Sequence, residues 1–250
     1  MAATDTGQPG AAFDWFGFLA RWGTLISLVL LIAFFSLARP EVFPTMRNTL
    51  NILNQVSILG IIALGLTVCL VVGLFDLSIG AMATFGGYFA ARILAELGIE
   101  SGWVVAGAVL AVLILAMLIG MINGALVSYL GISAIVETLA MSFIVTGVIL
   151  GVSGARTVFS SDIPESFQII GQGTILGVPN PILIMIATAL LLWVFLEHTQ
   201  PGRNMYAIGG NREAARLSGI NFQKFALIAM GISAGCAALG GLVAGAVLAL

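Results

Sequence analysis

Long apolar runs separated by short polar breaks set the pattern of this chain. No run alternates polar and apolar positions with the period of two that a half-buried strand requires. A helix crosses the hydrocarbon core of a bilayer with about 20 apolar residues. Runs of that kind fall at residues 22–38, 51–74, 77–97, 102–130, 132–152, 181–197 and 225–250. The first follows Arg21 and closes on Arg39-Pro40, and the second opens with Asn51, Asn54 and Gln55. The pattern predicts an all-α fold, a polytopic transmembrane helix bundle of about seven spans, rather than a barrel. Residues 1–21 read as a cytoplasmic N-terminal segment and 22–250 as one transmembrane domain, with no linker, soluble domain or internal repeat visible. The first run is long enough to span, so it is expected to stay in place and not to be removed as a signal peptide.

The stretch His198–Lys224 breaks the pattern, because it is too polar to lie in hydrocarbon. It carries four of the nine basic residues, Arg203, Arg212, Arg216 and Lys224, and the only histidine. Within it, Asn211 is placed to cap a short helix over Arg212–Ser218, Glu213 falls near the positive end of that helix, and Gly219 is placed to terminate it. Two turns of helix do not hold themselves together in water, since nucleation costs more than a few hydrogen bonds return. Either the chain's own membrane domain or a second protein at the membrane face must support it, and the second protein is the expected support. Basic residues favour the cytoplasmic side of span ends. With the N-terminus inside, Arg21, Arg203, Arg212, Arg216 and Lys224 fall in the cytoplasm and Arg39, Arg47, Arg92 and Arg156 outside. The 198–224 loop decides the orientation, because its charges crowd two span ends. The 153–180 loop, with Arg156 beside Asp162 and Glu165, then lies outside.

Composition agrees with the pattern. Of the 250 residues 60% are apolar and 8% charged, against roughly a quarter charged in soluble domains. A formal net charge of −2 and the lack of a basic tract exclude a nucleic-acid partner. Cys69 and Cys236 sit inside apolar runs and read as buried structural thiols. Glycines recur four apart at Gly120/Gly124, Gly147/Gly151, Gly231/Gly235 and Gly241/Gly245, a spacing that lets helix backbones approach closely in lipid.

Polar groups at membrane depth are expensive, so each one invites an explanation. Asp76 lies in VVGLFDLSIGA, between two apolar runs too close for an ordinary loop, so the backbone there must break under a protein cover. Asp76 and Ser78 are placed to cap the third helix or to line a polar path. Asn123 is suited to hydrogen-bond across helices. Glu137 lies several residues into the fifth span with Thr138 beside it, and is expected near a span end, paired with an arginine, or facing a cavity. His198 has no second histidine to share a metal with, so no metal site is expected. The chain holds no Gly-rich phosphate loop with Lys-Ser/Thr, no HExxH, no CxxC and no defensible Ser/His/Asp set. Energy for any transport would come from elsewhere.

Four ordered stretches resemble one family. YAIGGNREAARLSGIN (206–221) is similar to the cytoplasmic signature of permease subunits of bacterial ATP-binding cassette importers for sugars, of the ribose, xylose and galactoside type. GLFDLSIGA (73–81) resembles that family's Gly-x-Asp-Leu-Ser-x-Gly segment, and NGALVSYLGISAIVETLAM (123–141) its Asn-Gly-x-Leu region with a following Thr-Leu pair. HTQPGRNMYAIGGN (198–211) resembles its Thr-x-x-Gly-Arg-x-x-Tyr-Ala-x-Gly-Gly-Asn run. The resemblance implies an inner-membrane, multi-pass permease, not itself an enzyme, that moves a small polar solute, a monosaccharide first among them. Implied partners are two cytoplasmic ATPase subunits, a second permease copy or paralogue, and a periplasmic substrate-binding protein. Membrane lipid surrounds the spans. No cofactor is implied in this chain; ATP and Mg would sit on the ATPase. The short helix becomes a coupling helix seated in an ATPase groove. Its contact residues run from Gly210 and Asn211 through Arg212, Glu213, Ala214, Ala215 and Arg216 to Ser218 and Gly219, with Ala214 and Ala215 as a closely packing small face. Asp76, Ser78, Asn123, Glu137 and Thr138 are the implied translocation-path residues. Departures from the family pattern are Ser133-Ala134, where relatives carry Pro-Pro or Pro-Ala, and Glu137 at a usually apolar position. The family pattern also continues beyond Leu250, so a C-terminally shorter chain is expected. The rival class is an ion-coupled secondary carrier or channel using Asp76 and Glu137 as its carboxylates.

Overall fold

The computed structural model describes residues 15–154, 156, 158 and 163–248. Asp5, Asp14, Asp162 and Leu250 lie outside the described residues. Two compact units divide at Asn51. In the first, α1 (Trp15–Ala38) ends at a turn where Arg39 N bonds Phe35 O and Phe43 N bonds Arg39 O, and the rings of Phe35 and Phe43 stack with centroids 5.4 Å apart. Thr45 Oγ1 accepts the N–H of Asn48 and so opens α2 (Met46–Val71). Leu30, Phe34 and Leu37 along α1 are exposed, as a lipid-facing span requires.

The second unit holds the rest of α2, then α3 (Ile79–Leu97), α4 (Gly102–Tyr129), α5 (Ala134–Ser153) and α6 (Glu165–Gln172). A two-residue hairpin follows, β1 (Thr174–Ile175) and β2 (Val178–Pro179), and then α7 (Asn180–His198), α8 (Gln200–Gly210), α9 (Arg212–Leu217) and α10 (Phe222–Leu248). The hairpin turns through Leu176 and Gly177, both at positive φ, in the loop between the fifth and sixth predicted spans. That loop also carries α6, which sets Phe167 into the apolar core.

Among the described residues six helices are long and apolar enough to cross a membrane: α1, α2, α4, α5, α7 and α10. The seventh predicted span, α3, is 19 residues long and more polar, with Arg92 and Glu96 ion-paired on one face near its end. It packs against α4, α5 and α10.

The centre of the unit is α10, whose apolar window is 72% buried, against 22–28% for α2, α4, α5 and α7. Its Ala/Gly-rich sequence explains the position, because small side chains let neighbouring backbones come close. A Cβ on Gly241 would strike the carbonyl oxygen of Ala83 on α3, and one on Gly120 of α4 would strike that of Met230. Three of the four predicted glycine pairs work at α10 in this way. Gly147 and Gly151 instead have nothing within 4 Å, so that pair does not pack inside this chain.

Two apolar clusters fill the unit. One joins α3, α4, α6 and α10 around Leu94, Val112, Phe167 and Leu242. The other joins the end of α2, α8, α9 and the start of α10 around Val68, Leu74, Met205, Ile208 and Met230. Cys69 is fully buried in the second, while Cys236 is only half-buried.

Candidate functional site

The polar 198–224 stretch is more ordered than its sequence suggests. Thr199 caps α8 by accepting the N–H of Gly202, and α8 folds back so that Tyr206 Oη donates to Glu197 Oε1 at 3.0 Å. That hydrogen bond holds the Tyr206 phenol above the ordinary tyrosine range, since the bound proton is what the carboxylate accepts. Gly209 lies against the carbonyl of Val71, which seats α8 on the end of α2. The predicted short helix is α9. Asn211 caps it, Oδ1 accepting Ala214 N at 3.0 Å. At its far end Ser218 N and Ile220 N return to Ala214 O and Ala215 O, and Gly219 makes the turn at φ +80°.

One expectation for this helix is corrected. Ala214 and Ala215 do not form a common outward face: Ala215 is 4% exposed and packs into its own domain, with Ile208 and Phe222 in the same cluster, while Ala214 is exposed. The helix is therefore held first by its own chain. What it offers outward is Arg212, Glu213, Arg216 and Leu217, the last 78% exposed. Glu213 pairs with Arg216 three residues on, at 2.6 Å, and this pushes the Arg216 guanidinium pKa up. Arg212 lies over the Phe222 ring at 3.3 Å, fixing the start of α9 to the start of α10. Arg212, Glu213, Arg216 and Gln223 line a surface hollow of ≈ 580 Å³.

The five polar residues predicted at membrane depth come together. Asp76, Ser78, Asn123 and Thr138 are fully buried and Glu137 is 5% exposed. They assemble where the chain breaks between α2 and α3. Asp76 Oδ1 accepts from Ser78 N (2.8 Å) and Ser78 Oγ (2.6 Å), an Asx-type turn. Ser78 itself makes no side-chain cap on α3, so the capping expectation holds only in that Asp76 satisfies a neighbouring N–H. Asp76 Oδ2 accepts from Ser233 Oγ of α10 at 2.7 Å. Leu77 N donates to Thr138 Oγ1 (3.0 Å), and Ser142 Oγ donates to Leu77 O (3.0 Å).

The Asn123 amide lies 3.2 Å from Ser78 Oγ, whose proton goes to Asp76, and turned with its nitrogen toward α5 it donates to Ile119 O (3.2 Å) and Glu137 Oε1 (3.3 Å). Glu137 has no arginine partner among the described residues, and its Oε2 is buried without a hydrogen bond. It sits in the first turn of α5, so the span-end expectation is the one that fits. Thus three helices, α4, α5 and α10, and the broken segment 72–78 meet at one carboxylate-centred cluster. Sequence reasoning missed Ser233 and Ser142. Their only signal is a small hydroxyl in an apolar run, which many helices carry on back-bonds to their own turn. His198 stays at the end of α7 with its ring 4.6 Å from that of Trp193.

Apolar spans, a polar cluster sealed at membrane depth and a cationic excursion off one end of the bundle define a multi-pass membrane transport subunit. Residues 48–249 match the family model described as branched-chain amino acid transport system / permease component, and the chain belongs to that family. It is 38% identical over 223 residues to the ribose import permease protein of Escherichia coli (strain K12), covering 88% of this chain and 67% of that one. To the D-allose transport system permease protein of the same strain it is 32% identical over 238 residues (92% and 69%). To the L-arabinose transport system permease protein it is 31% identical over 243 residues (97% and 72%). No solved structure matches. The chain is thus a multi-pass permease of the bacterial inner membrane, as its spans and family require.

Proposed function

We propose that this chain is the membrane-spanning subunit of an ATP-binding cassette importer for a monosaccharide, driven by ATP hydrolysed with Mg on a separate ATPase subunit. The named sugar permeases it resembles support the substrate class. The observation that carries the coupling role is α9, six residues capped at both ends, pinned inward by Ala215 and presenting Arg212, Glu213 and Arg216 to water. A helix this short is stable only because its domain braces it, and its free charged face is what an ATPase groove would grip. Gly210, Asn211, Ser218 and Gly219 set its ends. Asp76, Ser78, Asn123, Glu137 and Thr138 belong to the path. A second permease copy completes the pore, and a periplasmic binding protein delivers the sugar. Movement of the ATPase grooves would shift the braced helix as a rigid body and change access to the path.

Co-purification from gently solubilised membranes tests this reading. The unaltered chain is expected to retain an ATPase subunit. G219R, whose side chain is strained at φ +80°, is expected to insert normally and lose ATP-coupled sugar uptake. Normal coupled uptake by that variant sinks the coupling assignment. Uptake that follows an ion gradient with no ATPase present would move the chain to the carrier class.

A further inference from the structure

We infer that Ser233 is the positioning residue through which movement of the coupling segment reaches the transport path; this rests on the importer reading above. The mechanical line is continuous. Arg212 of α9 stacks on Phe222, the first residue of α10, and Asn221 Oδ1 caps α10 by accepting Lys224 N at 3.0 Å. From there α10 is an unbroken helix of 27 residues that forms the core of the unit. Ser233 lies eleven residues along it, about 16 Å from its start at the helical rise.

At that depth the Ser233 hydroxyl meets Asp76 at 2.7 Å, and among the described residues it is the one hydrogen bond from α10 to segment 72–78. The segment's other ties run to α4 through Asn123 and to α5 through Thr138 and Ser142. Segment 72–78 is therefore a junction of three helices; α10 packs on its apolar Val72 and Leu74 and enters its polar centre through one hydroxyl–carboxylate hydrogen bond. The contacts of α10 with α3 and α4 are non-directional apolar packing, close enough that glycines meet the facing backbone. The hydrogen bond is directional, and a shift of about 1 Å takes it out of range. Its loss leaves a carboxylate oxygen buried and unpaired, so the junction favours one of two discrete arrangements. Sliding of α10 by the coupling segment thus becomes a make-or-break event at the cytoplasmic ends of α4 and α5.

The test uses S233A, which removes the hydroxyl and keeps the packing, and S233T, which restores a hydroxyl. Each is expressed in the full chain, and D-ribose, D-allose and L-arabinose are supplied in turn as probes. Three quantities are read: ATPase retained on purification, ATP hydrolysed per sugar taken up, and labelling of the fully buried Cys69 by a charged thiol reagent in a C236A background. S233A is expected to keep its ATPase, to hydrolyse several times more ATP per sugar, and to label at Cys69 roughly tenfold faster, the factor that losing a bond to a buried charge implies. S233T is expected to restore both values. If S233A retains the unaltered ratio and labelling rate, Ser233 is only packing and the inference falls. Absence of any ATPase on the unaltered chain would overturn the importer reading instead, and Cys69 labelling would still judge the junction. Should S233A fail to insert, D76N keeps the shape of the cluster, removes its charge and is held to the same outcomes.

Discussion

Replacing Gly241 by alanine adds one methyl group and should nonetheless loosen the whole bundle. A Cβ at Gly241 would fall against the carbonyl of Ala83 and 2.7 Å from its Cα. Carbon atoms rest at about 3.5–4.0 Å, so α3 and α10 must part by about 1 Å. Every group met is backbone, which has no rotamer to turn away. The same displacement opens the neighbouring contacts of Gly86 with Ala238 and of Gly87 with Gly241. Overpacking of this kind costs about 1–3 kcal/mol, and alanine returns about 1 kcal/mol of helix propensity. With no soft neighbour the upper end applies, leaving a net loss of about 2 kcal/mol. For a chain of this size that lowers the melting temperature by about 4–8 °C. G107A is the matched control, because Gly107 of α4 has nothing within 4 Å. It should gain the propensity alone and melt at or slightly above the unaltered protein. A fluorogenic maleimide that reacts with Cys69 and Cys236 as heating exposes them reads both melts in detergent. If G241A melts with the parent, or the two variants shift alike, the close α3–α10 approach is wrong.

Three further outcomes follow from the same geometry. N211A removes the Ala214 cap bond, costing about 1 kcal/mol, so amide exchange at Ala214 and Ala215 should quicken about fivefold while α10 stays protected. In a tyrosinate absorbance titration, the difference between the parent and Y206F isolates Tyr206, which should ionise above the usual tyrosine range and fall back to it in E197Q. Because the raised pKa favours the neutral phenol, this contact is fully present at neutral pH and is lost only as pH rises through that shifted value. T138V leaves the part-buried Leu77 N–H without its acceptor, for a loss of about 1 kcal/mol, and T138S should recover it.

The spans were legible because hydrocarbon imposes a local rule: a helix must be long, apolar and internally hydrogen-bonded to cross. For the same reason the caps of α9 could be read, since Asn211 and Gly219 act within a few residues of where they stand in the chain. The break at Asp76 also declared itself, because a carboxylate between apolar runs demands cover. Which groups supply that cover was decided elsewhere. Ser233 is 157 residues from Asp76, and nothing near it in the chain marks it as the donor. Likewise periodicity could list four glycine pairs but not that Gly147 and Gly151 would face outward while Gly120 and Gly241 met backbone. Ala215 was expected to look outward and instead pins α9 to its own domain, because burial on α8 and α10 outweighs what two turns of helix can specify. Helices, their caps and the places where polarity had to be sheltered follow from neighbours along the chain. Which faces meet does not, because it depends on close packing between segments far apart in the chain, and local composition carries no record of it.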